Sequence, residues 1–97
     1  MRANDRKRSI LASAMVLAER HGFSRFTRDA LIERAGCSMG LVNHYFTTMK
    51  QLQRAVVGEA IRTGNLVILR QALVEKHPRV DDLPAELKAR AWSGVAE

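Results

Sequence analysis

Apolar residues recur at helical spacing along most of the chain. Near the N-terminus these positions are Ile10, Leu11, Ala14, Leu17 and Ala18. They fall at i, i+1, i+4, i+7 and i+8, which places them on one face of a helix. We predict this helix over about residues 5–21, and two shorter helices over about residues 28–35 and 39–46. No stretch alternates with the period of two that strands require, so the pattern predicts an all-α fold.

The tetrapeptide Ala35-Gly36-Cys37-Ser38 predicts a tight turn between the two short helices. Gly36 can adopt the positive φ that ends a helix, and Ser38 can cap the next helix by accepting a bond from a backbone N–H. Thr27 occupies the same kind of position before helix 28–35. A turn of three or four residues between two short helices is the geometry that places the second helix in the DNA major groove. The pattern therefore indicates a helix-turn-helix.

Beyond this motif, Thr48 and Gln51 have the spacing of a capping box. We predict a long helix 4 from Met49 to Lys76, ended by His77-Pro78 because proline disfavours helix at the preceding residue. A short helix 5 then runs from about Asp82 to Ser93. This divides the chain into a helix-turn-helix DNA-binding domain, residues 1–50, and a helical dimerisation and support segment, residues 51–97.

Four consecutive apolar residues, at positions 66–69, must cover every side of a helix, so one side needs a partner outside the DNA-binding bundle. Helix 5 can provide this cover within the chain, or a second copy can provide it in a two-fold dimer. We favour a homodimer, because helix 5 is short and helix-turn-helix proteins usually bind paired half-sites. The predicted dimer interface consists of Leu66, Ile68, Leu69, Leu73 and Trp92.

The charge is concentrated where a helix-turn-helix would need it. The 97 residues carry 16 Lys+Arg and 10 Asp+Glu, a net charge of +6, and residues 1–50 hold nine of the basic and four of the acidic side chains. This placement favours phosphate contacts with double-stranded DNA. The single cysteine, Cys37, cannot form an internal disulfide, which fits a cytoplasmic protein. No charge-free stretch approaches membrane-spanning length, and we expect no membrane partner.

Enzyme chemistry has little support in the sequence. There is no glycine-rich phosphate loop, no metal-ligand cluster and no nucleophile–base pair at a recognisable spacing. The three histidines are spread over three predicted elements. We therefore expect no catalytic residue, no cofactor and no metal.

Several motifs together resemble the DNA-binding domain of the TetR family of bacterial transcriptional repressors. They are Arg8-x-Ile10-Leu11-x-x-Ala14, Gly22-Phe23, Thr27, Ala35-Gly36-Cys37-Ser38-x-Gly40, and His44-Tyr45-Phe46 with Lys50 and Leu52. The resemblance covers about residues 6–60 and implies a three-helix helix-turn-helix domain. The chain departs from the family at Asn43, where a tyrosine usually contacts a phosphate. It also has Met49 where lysine is usual and Lys50 where an acid is usual.

By this resemblance, helix 39–46 is the recognition helix. The implied DNA-binding residues are Thr27, Arg28, Ser38, Met39, Gly40, Leu41, Asn43, His44, Tyr45 and Lys50. Apolar Met39 and Leu41 can touch thymine methyl groups, and Asn43 can pair with adenine or reach a phosphate. Structural roles compete with these contacts, since the hydroxyls can serve as helix caps alone and the aromatic residues can pack in the core.

The basic N-terminus offers a further contact. Its members, Arg2, Arg6, Lys7 and Arg8, can form an arm along the DNA backbone or minor groove, or a solvated, frayed terminus.

Family members normally continue into a ligand-binding and dimerising domain of more than about a hundred residues. Here only about forty residues follow the DNA-binding part, too few to enclose a drug-sized cavity as well as their own core. We therefore expect no small-molecule inducer within this chain. The chain is either a minimal relative or part of a longer protein, and its capped final helix favours the former.

The leading hypothesis is a small homodimeric transcriptional regulator, a repressor, that binds a palindromic operator. One alternative is a protein-interaction or anti-repressor module that kept the fold and lost base recognition. Another is a DNA-organising accessory protein of a mobile element. The departures at Asn43 and Met49 motivate the first alternative.

Overall fold

The computed structural model describes residues 3–95, which form six α-helices and one short 3₁₀ helix and contain no strand. The elements are α1 (Ala3–His21), α2 (Arg28–Ala35), α3 (Met39–Tyr45), α4 (Met49–Thr63), α5 (Leu66–Val74), the 3₁₀ helix (Pro78–Asp82) and α6 (Ala85–Val95). The predicted all-α class is confirmed. The first three helices lie within two residues of their predicted bounds.

The turn between α2 and α3 forms as its sequence predicts. Gly36 has φ 66°, and its N–H donates to the carbonyl of Ile32 at 2.9 Å, which closes α2. Ser38 Oγ accepts from Leu41 N at 3.1 Å and caps α3. Thr27 caps α2 in the same way, with Ala30 N as donor at 3.1 Å. Each cap satisfies a backbone N–H that has no partner inside its own helix.

The prediction of one long helix 4 is wrong, because two helices fill that range. Gly64 has φ 71° and ends α4, and the side chain of Asn65 caps α5 by accepting from Ile68 N at 3.2 Å. Glycine followed by asparagine is a helix-end signal joined to a helix-start signal. The break allows α5 to turn back and pack against α4, α1 and α6.

The predicted segment before the last helix also differs. α5 ends at Val74, and the residues that follow include the 3₁₀ helix, so that α6 begins at Ala85 rather than near Asp82. His77 caps the 3₁₀ helix, with its Nδ1 accepting from Arg79 N at 3.2 Å. The chain thus returns to α4, which the 3₁₀ helix contacts.

One hydrophobic core joins the helices of both predicted parts of the chain. Its largest fully buried members are Leu31, Leu52, Ile68, Leu69, Val42, Val56 and Val57. Phe23 and Phe26 are buried beside the turn after α1. Burial of these apolar side chains is the main source of stability for helices this short.

Three residues of the predicted dimer interface lie inside this core. Ile68 and Leu69 are fully buried and Leu73 is 4% exposed within the single chain. Since α4, α1 and α6 already pack around α5, these side chains cannot also contact a partner, and this part of the prediction is wrong. Trp92 is 44% exposed and Leu66 is half-buried. Within residues 3–95, no helix combines the length and apolarity needed to span a membrane.

Candidate nucleic-acid interface

Helix α3 has two distinct faces. Met39, Gly40, Asn43 and His44 are exposed, whereas Val42 is fully buried. The exposed residues fall at i, i+1, i+4 and i+5 and therefore share one side of the helix. The opposite side faces the core through Val42 and, just past the helix end, Phe46. The result is an exposed helix face carrying an apolar side chain, an amide and an imidazole.

Leu41 does not belong to this exposed face. It is half-buried, packs against the core and lines a shallow groove with Arg6 and Cys37. This corrects its expected grouping with Met39. Tyr45 is likewise half-buried against the core, and its ring lies edge-on to His44 with 4.9 Å between ring centroids. That contact orients the imidazole at the exposed end of α3.

The hydroxyls of Thr27 and Ser38 both act as caps, so the structural role is observed for each. Both residues are exposed. A hydroxyl oxygen that accepts from a backbone N–H still has its own O–H to donate. The first turns of α2 and α3 can therefore offer this donor and free backbone N–H groups to an anion.

Arg28 connects three elements of the site. Its guanidinium donates to Asn43 Oδ1 on α3 and to the carbonyl of Thr47, just before α4, the latter at 3.1 Å. The first turn of α2, the exposed face of α3 and the start of α4 are thereby held together. The sequence identified Arg28 and Asn43 as separate contacts and gave no sign of this bond, because the two residues are 15 positions apart.

The bond to Arg28 changes what Asn43 can recognise. Its carbonyl oxygen is engaged, while its amide NH₂ is available to donate. Pairing with adenine through two bonds requires the oxygen as well as the NH₂. A phosphate oxygen requires only a donor. The geometry therefore suits Asn43 to a phosphate contact better than to adenine recognition.

The start of α4 carries Lys50, which is exposed. Thr48 Oγ1 accepts from Gln51 N at 3.1 Å, as the capping-box prediction required. The returning bond is displaced by one residue, since Gln51 Oε1 accepts from Thr47 N at 3.0 Å. A cation in the first turn of a helix is disfavoured by the helix dipole. Lys50 is thus placed where a nearby anion would remove an unfavourable interaction.

Gly40 has no structural requirement to be glycine. A Cβ atom added to it would lie 3.9 Å from Ser38 Oγ, an ordinary contact distance. It lies within the first turn of α3, where alanine is the better helix former. Because glycine has no side chain, it allows another molecule to approach the backbone closely on the exposed face.

The basic N-terminus is helical. Because α1 begins at Ala3, Arg6, Lys7 and Arg8 lie on the helix, where they are exposed, and their contact with DNA stays a prediction. The apolar stripe that starts at Ile10 anchors this helix to the core. Arg2 falls outside the described residues. Lys7 Nζ lies 5.8 Å from the centroid of the Phe46 ring, a cation–π contact at the end of α3.

Carboxylates neutralise little of the positive charge of the Lys and Arg side chains in the candidate interface. Within residues 3–95, one ion pair forms, between Glu59 and Arg62 on α4. The hydrogen bond donated by Arg62, assisted by the charges of Arg62 and Arg8, lowers the pKa of Glu59 against the opposing effect of burial. The cations around α3 and the start of α4 have no carboxylate partner in this part of the chain. No group of three or more potential metal ligands occurs there either.

Comparison with protein families gives a match in the region of the first four helices. Residues 10–56 match the family described as bacterial regulatory proteins, tetR family. The matched segment begins at the buried residue Ile10 of α1, contains all of α2 and α3, and ends within α4. Searches of curated proteins and of solved structures gave no match.

Proposed function

We propose, on the premise that residues 10–56 are the helix-turn-helix DNA-binding domain of a TetR-family transcriptional regulator, that the chain binds a specific operator and represses transcription from it. The observation that carries this proposal is the exposed face of α3. It presents Met39, Asn43 and His44 beside a glycine that leaves the backbone accessible. An α-helix with such a face fits the major groove.

The side chains divide into two roles. Met39 is the first residue of α3, and its side chain is 38% exposed. At this position an apolar side chain can contact a thymine methyl. Thr27, Ser38, Asn43, His44 and Lys50 supply donors or positive charge for phosphates on either side of the groove. Phosphate contacts set the register of the helix, and base contacts select the sequence. A regulator with these contacts acts in the cytoplasm, where it meets the DNA.

A homodimer would place two such helices on a palindromic operator. The exposed apolar residues Val67 and Val74 are one heptad apart and share a face of α5. Arg70 lies on the same side and donates through Nε to the carbonyl of Ala91, next to exposed Trp92 on α6, at 3.3 Å. We group these four residues as the α5–α6 face. As the proposed dimer contact, it keeps Trp92 from the predicted interface and does not include the buried residues Ile68, Leu69 and Leu73.

The test is selection from a random DNA library with the purified 97-residue chain at about 150 mM salt, close to physiological ionic strength. We expect an enriched inverted repeat, bound at least about a thousandfold more tightly than unrelated DNA. His44→Ala should weaken operator binding. His21→Ala, which removes another exposed histidine at the end of α1, should not.

Equal, weak binding to all sequences would contradict the proposal. A folded protein with no DNA affinity would instead support the protein-interaction alternative. Sequence-tolerant, cooperative coating and bending of DNA would indicate the DNA-organising role.

A further inference from the structure

A second basic feature lies beside the proposed DNA contacts. An open groove of about 450 Å³ runs between α4 and the 3₁₀ helix, and its lining includes Lys50, Arg54, His77 and Arg79. Asp82 is the one carboxylate among its lining residues and forms no ion pair with them. We call this feature the basic groove. The TetR match ends at residue 56 and does not include the 3₁₀ helix that forms one wall.

Arg79 is held in the groove without a counter-ion. The residue is half-buried, and its Nε atom is buried with no hydrogen-bond partner among the described residues. Its guanidinium lies against Gly58 of α4, where an added Cβ would be 3.1 Å from Nη1. The glycine therefore provides the space that the guanidinium occupies. Partial burial of an unpaired cation is unfavourable, and a bound anion would compensate for it.

The pKa of His77 is affected by the positive charges gathered in the basic groove. Burial, then the positive charges of Arg54 and Arg79, lower the pKa of His77, and the negative charge of Glu75 opposes them. The imidazole therefore favours its neutral form beside the two guanidinium groups.

We propose that the basic groove binds a phosphoryl group. Arg79 and Arg54 can each donate two bonds from a planar guanidinium to phosphate oxygens, and Lys50 can add a point charge. Lys50 and Arg54 are four residues apart on α4 and so lie on the same face of the helix. The groove thus continues from the end of α4 that we assign to DNA.

Two sources can supply this group. It can be a DNA phosphate next to the operator contacts, an arrangement that rests on the proposed function. It can equally be a free phosphorylated small molecule, which would compete with DNA for Lys50. The chemistry at Arg79 is the same for both sources.

The first experiment uses inorganic pyrophosphate and no DNA. The full chain is titrated while NMR follows the Arg79 Nε–Hε and His77 ring resonances. We expect saturable shifts at both sites and an affinity at least about tenfold lower for Arg79→Gln. Arg90→Gln, which removes an exposed cation from α6, is the control and should bind as the unmodified chain does.

A second variant separates position from charge. Gly58→Ala keeps every charge but requires the guanidinium of Arg79 to shift by a few tenths of an ångström. It should also weaken binding of pyrophosphate, while helix propensity favours the variant fold. Loss of pyrophosphate binding in this variant cannot be attributed to unfolding if its circular dichroism and melting temperature are maintained.

DNA titrations over a range of salt concentrations distinguish the sources. If the group is a DNA phosphate, Arg79→Gln lowers the slope of log affinity against log salt by about 0.9, and Arg90→Gln leaves it unchanged. If it is a free phosphate compound, pyrophosphate displaces DNA from the unmodified chain and displaces it far less readily from Arg79→Gln. Either result supports the groove.

The proposal is overturned if neither pyrophosphate binding nor the salt slope depends on Arg79 in folded protein. Failure of the operator proposal would be recognised separately, because the pyrophosphate titration contains no DNA.

Discussion

The side-chain oxygen of Gln71 on α5 accepts a hydrogen bond at 2.9 Å from the backbone N–H of Phe23, which is 48 residues earlier. The amide nitrogen of the same side chain donates to the carbonyl of Ala18, also at 2.9 Å. One side chain therefore satisfies both a donor and an acceptor where α1 ends. Nearby, Ser24 donates to Glu75 at 2.7 Å, and Asn65 donates to Glu19 at 2.6 Å. These hydrogen bonds thus hold α5 and its flanking residues to the C-terminal end of α1, where the chain turns towards the helix-turn-helix.

Replacing Gln71 should destabilise the fold. Gln71→Ala leaves the N–H of Phe23 without its partner in a partly buried location, at a cost of about 1–3 kcal/mol in the free energy of unfolding. Gln71→Glu keeps the acceptor and loses the donor to Ala18, so its effect should be smaller. Urea unfolding measures both. Gln53→Ala removes a half-buried glutamine whose side chain makes no hydrogen bond within residues 3–95, and an equal loss there would contradict this assignment.

Gly40→Ala should move stability and DNA affinity in opposite directions. Alanine fits the space and is the better helix former, so the free energy of unfolding should rise by about 0.5–1 kcal/mol. The added methyl group lies on the exposed face of α3 and should weaken operator binding by obstructing close approach. Thermal unfolding and fluorescence anisotropy with operator DNA measure the two effects. Unchanged affinity in the stabilised variant would show that α3 does not approach DNA at this residue.

Asn43→Asp should separate the two roles of this residue, its hydrogen bond with Arg28 and its proposed contact with DNA. The new carboxylate still accepts from Arg28, so the fold should keep its stability, but it loses the amide donor and repels phosphate. We expect at least about a tenfold loss of affinity, similar for all DNA sequences. Ala12→Asp makes the same change in net charge on an exposed position of α1 and serves as control. A companion variant, Asn43→Ala, that relaxed specificity at one base pair would instead assign Asn43 to adenine recognition.

The α5–α6 face should determine the oligomeric state. Trp92→Ala removes a large exposed aromatic side chain, a type that often dominates interface energies, and should raise the dimer dissociation constant by about thirtyfold. Val74→Glu places a charge on the same face and should give a monomer. Sedimentation equilibrium measures both. Ala12→Glu is the matched control on another surface, and a monomeric unmodified chain would refute the dimer.

The stability of the fold should decrease below neutral pH through His77. Its pKa in the folded chain is lowered from the ordinary value of 6.5 by burial and by the charges of Arg54 and Arg79. The unfolded chain therefore binds the proton first, so this contribution is complete above pH 6.5 and is lost as the pH falls through the folded pKa. His77→Asn retains an acceptor for Arg79 N without titrating. Denaturant unfolding from pH 7.5 to 5 should show a smaller decrease for this variant, and equal decreases would exclude His77 as the cause.

Local signals in the sequence were sufficient for the first half of the fold. Thr27 and Ser38 cap their helices and Gly36 ends α2, because each of these roles depends only on residues within a few positions. The same kind of signal, Gly64 followed by Asn65, marks the break after α4. It was missed because the apolar pattern continues across it, and helical periodicity alone does not report a change of direction.

The site could be predicted residue by residue but not as an arrangement. The sequence identified Arg28 and Asn43, yet the bond between them depends on how α2 and α3 cross. It did not identify Arg79 or Gln71, because their roles follow from folding the C-terminal segment back onto α4 and α1.

The sequence by itself determined the helix caps, the turn, the basic half of the chain and the apolar residues available for a core. All of these follow from short-range backbone chemistry and from charge. Only the tertiary structure decided which apolar residues of α5 are buried and which remain exposed. It therefore moved the proposed dimer contact on α5 from Ile68 and Leu69 to Val67 and Val74, while Trp92 of the predicted interface is kept. Burial depends on what packs against a residue, and its partners here lie in helices far away in the sequence.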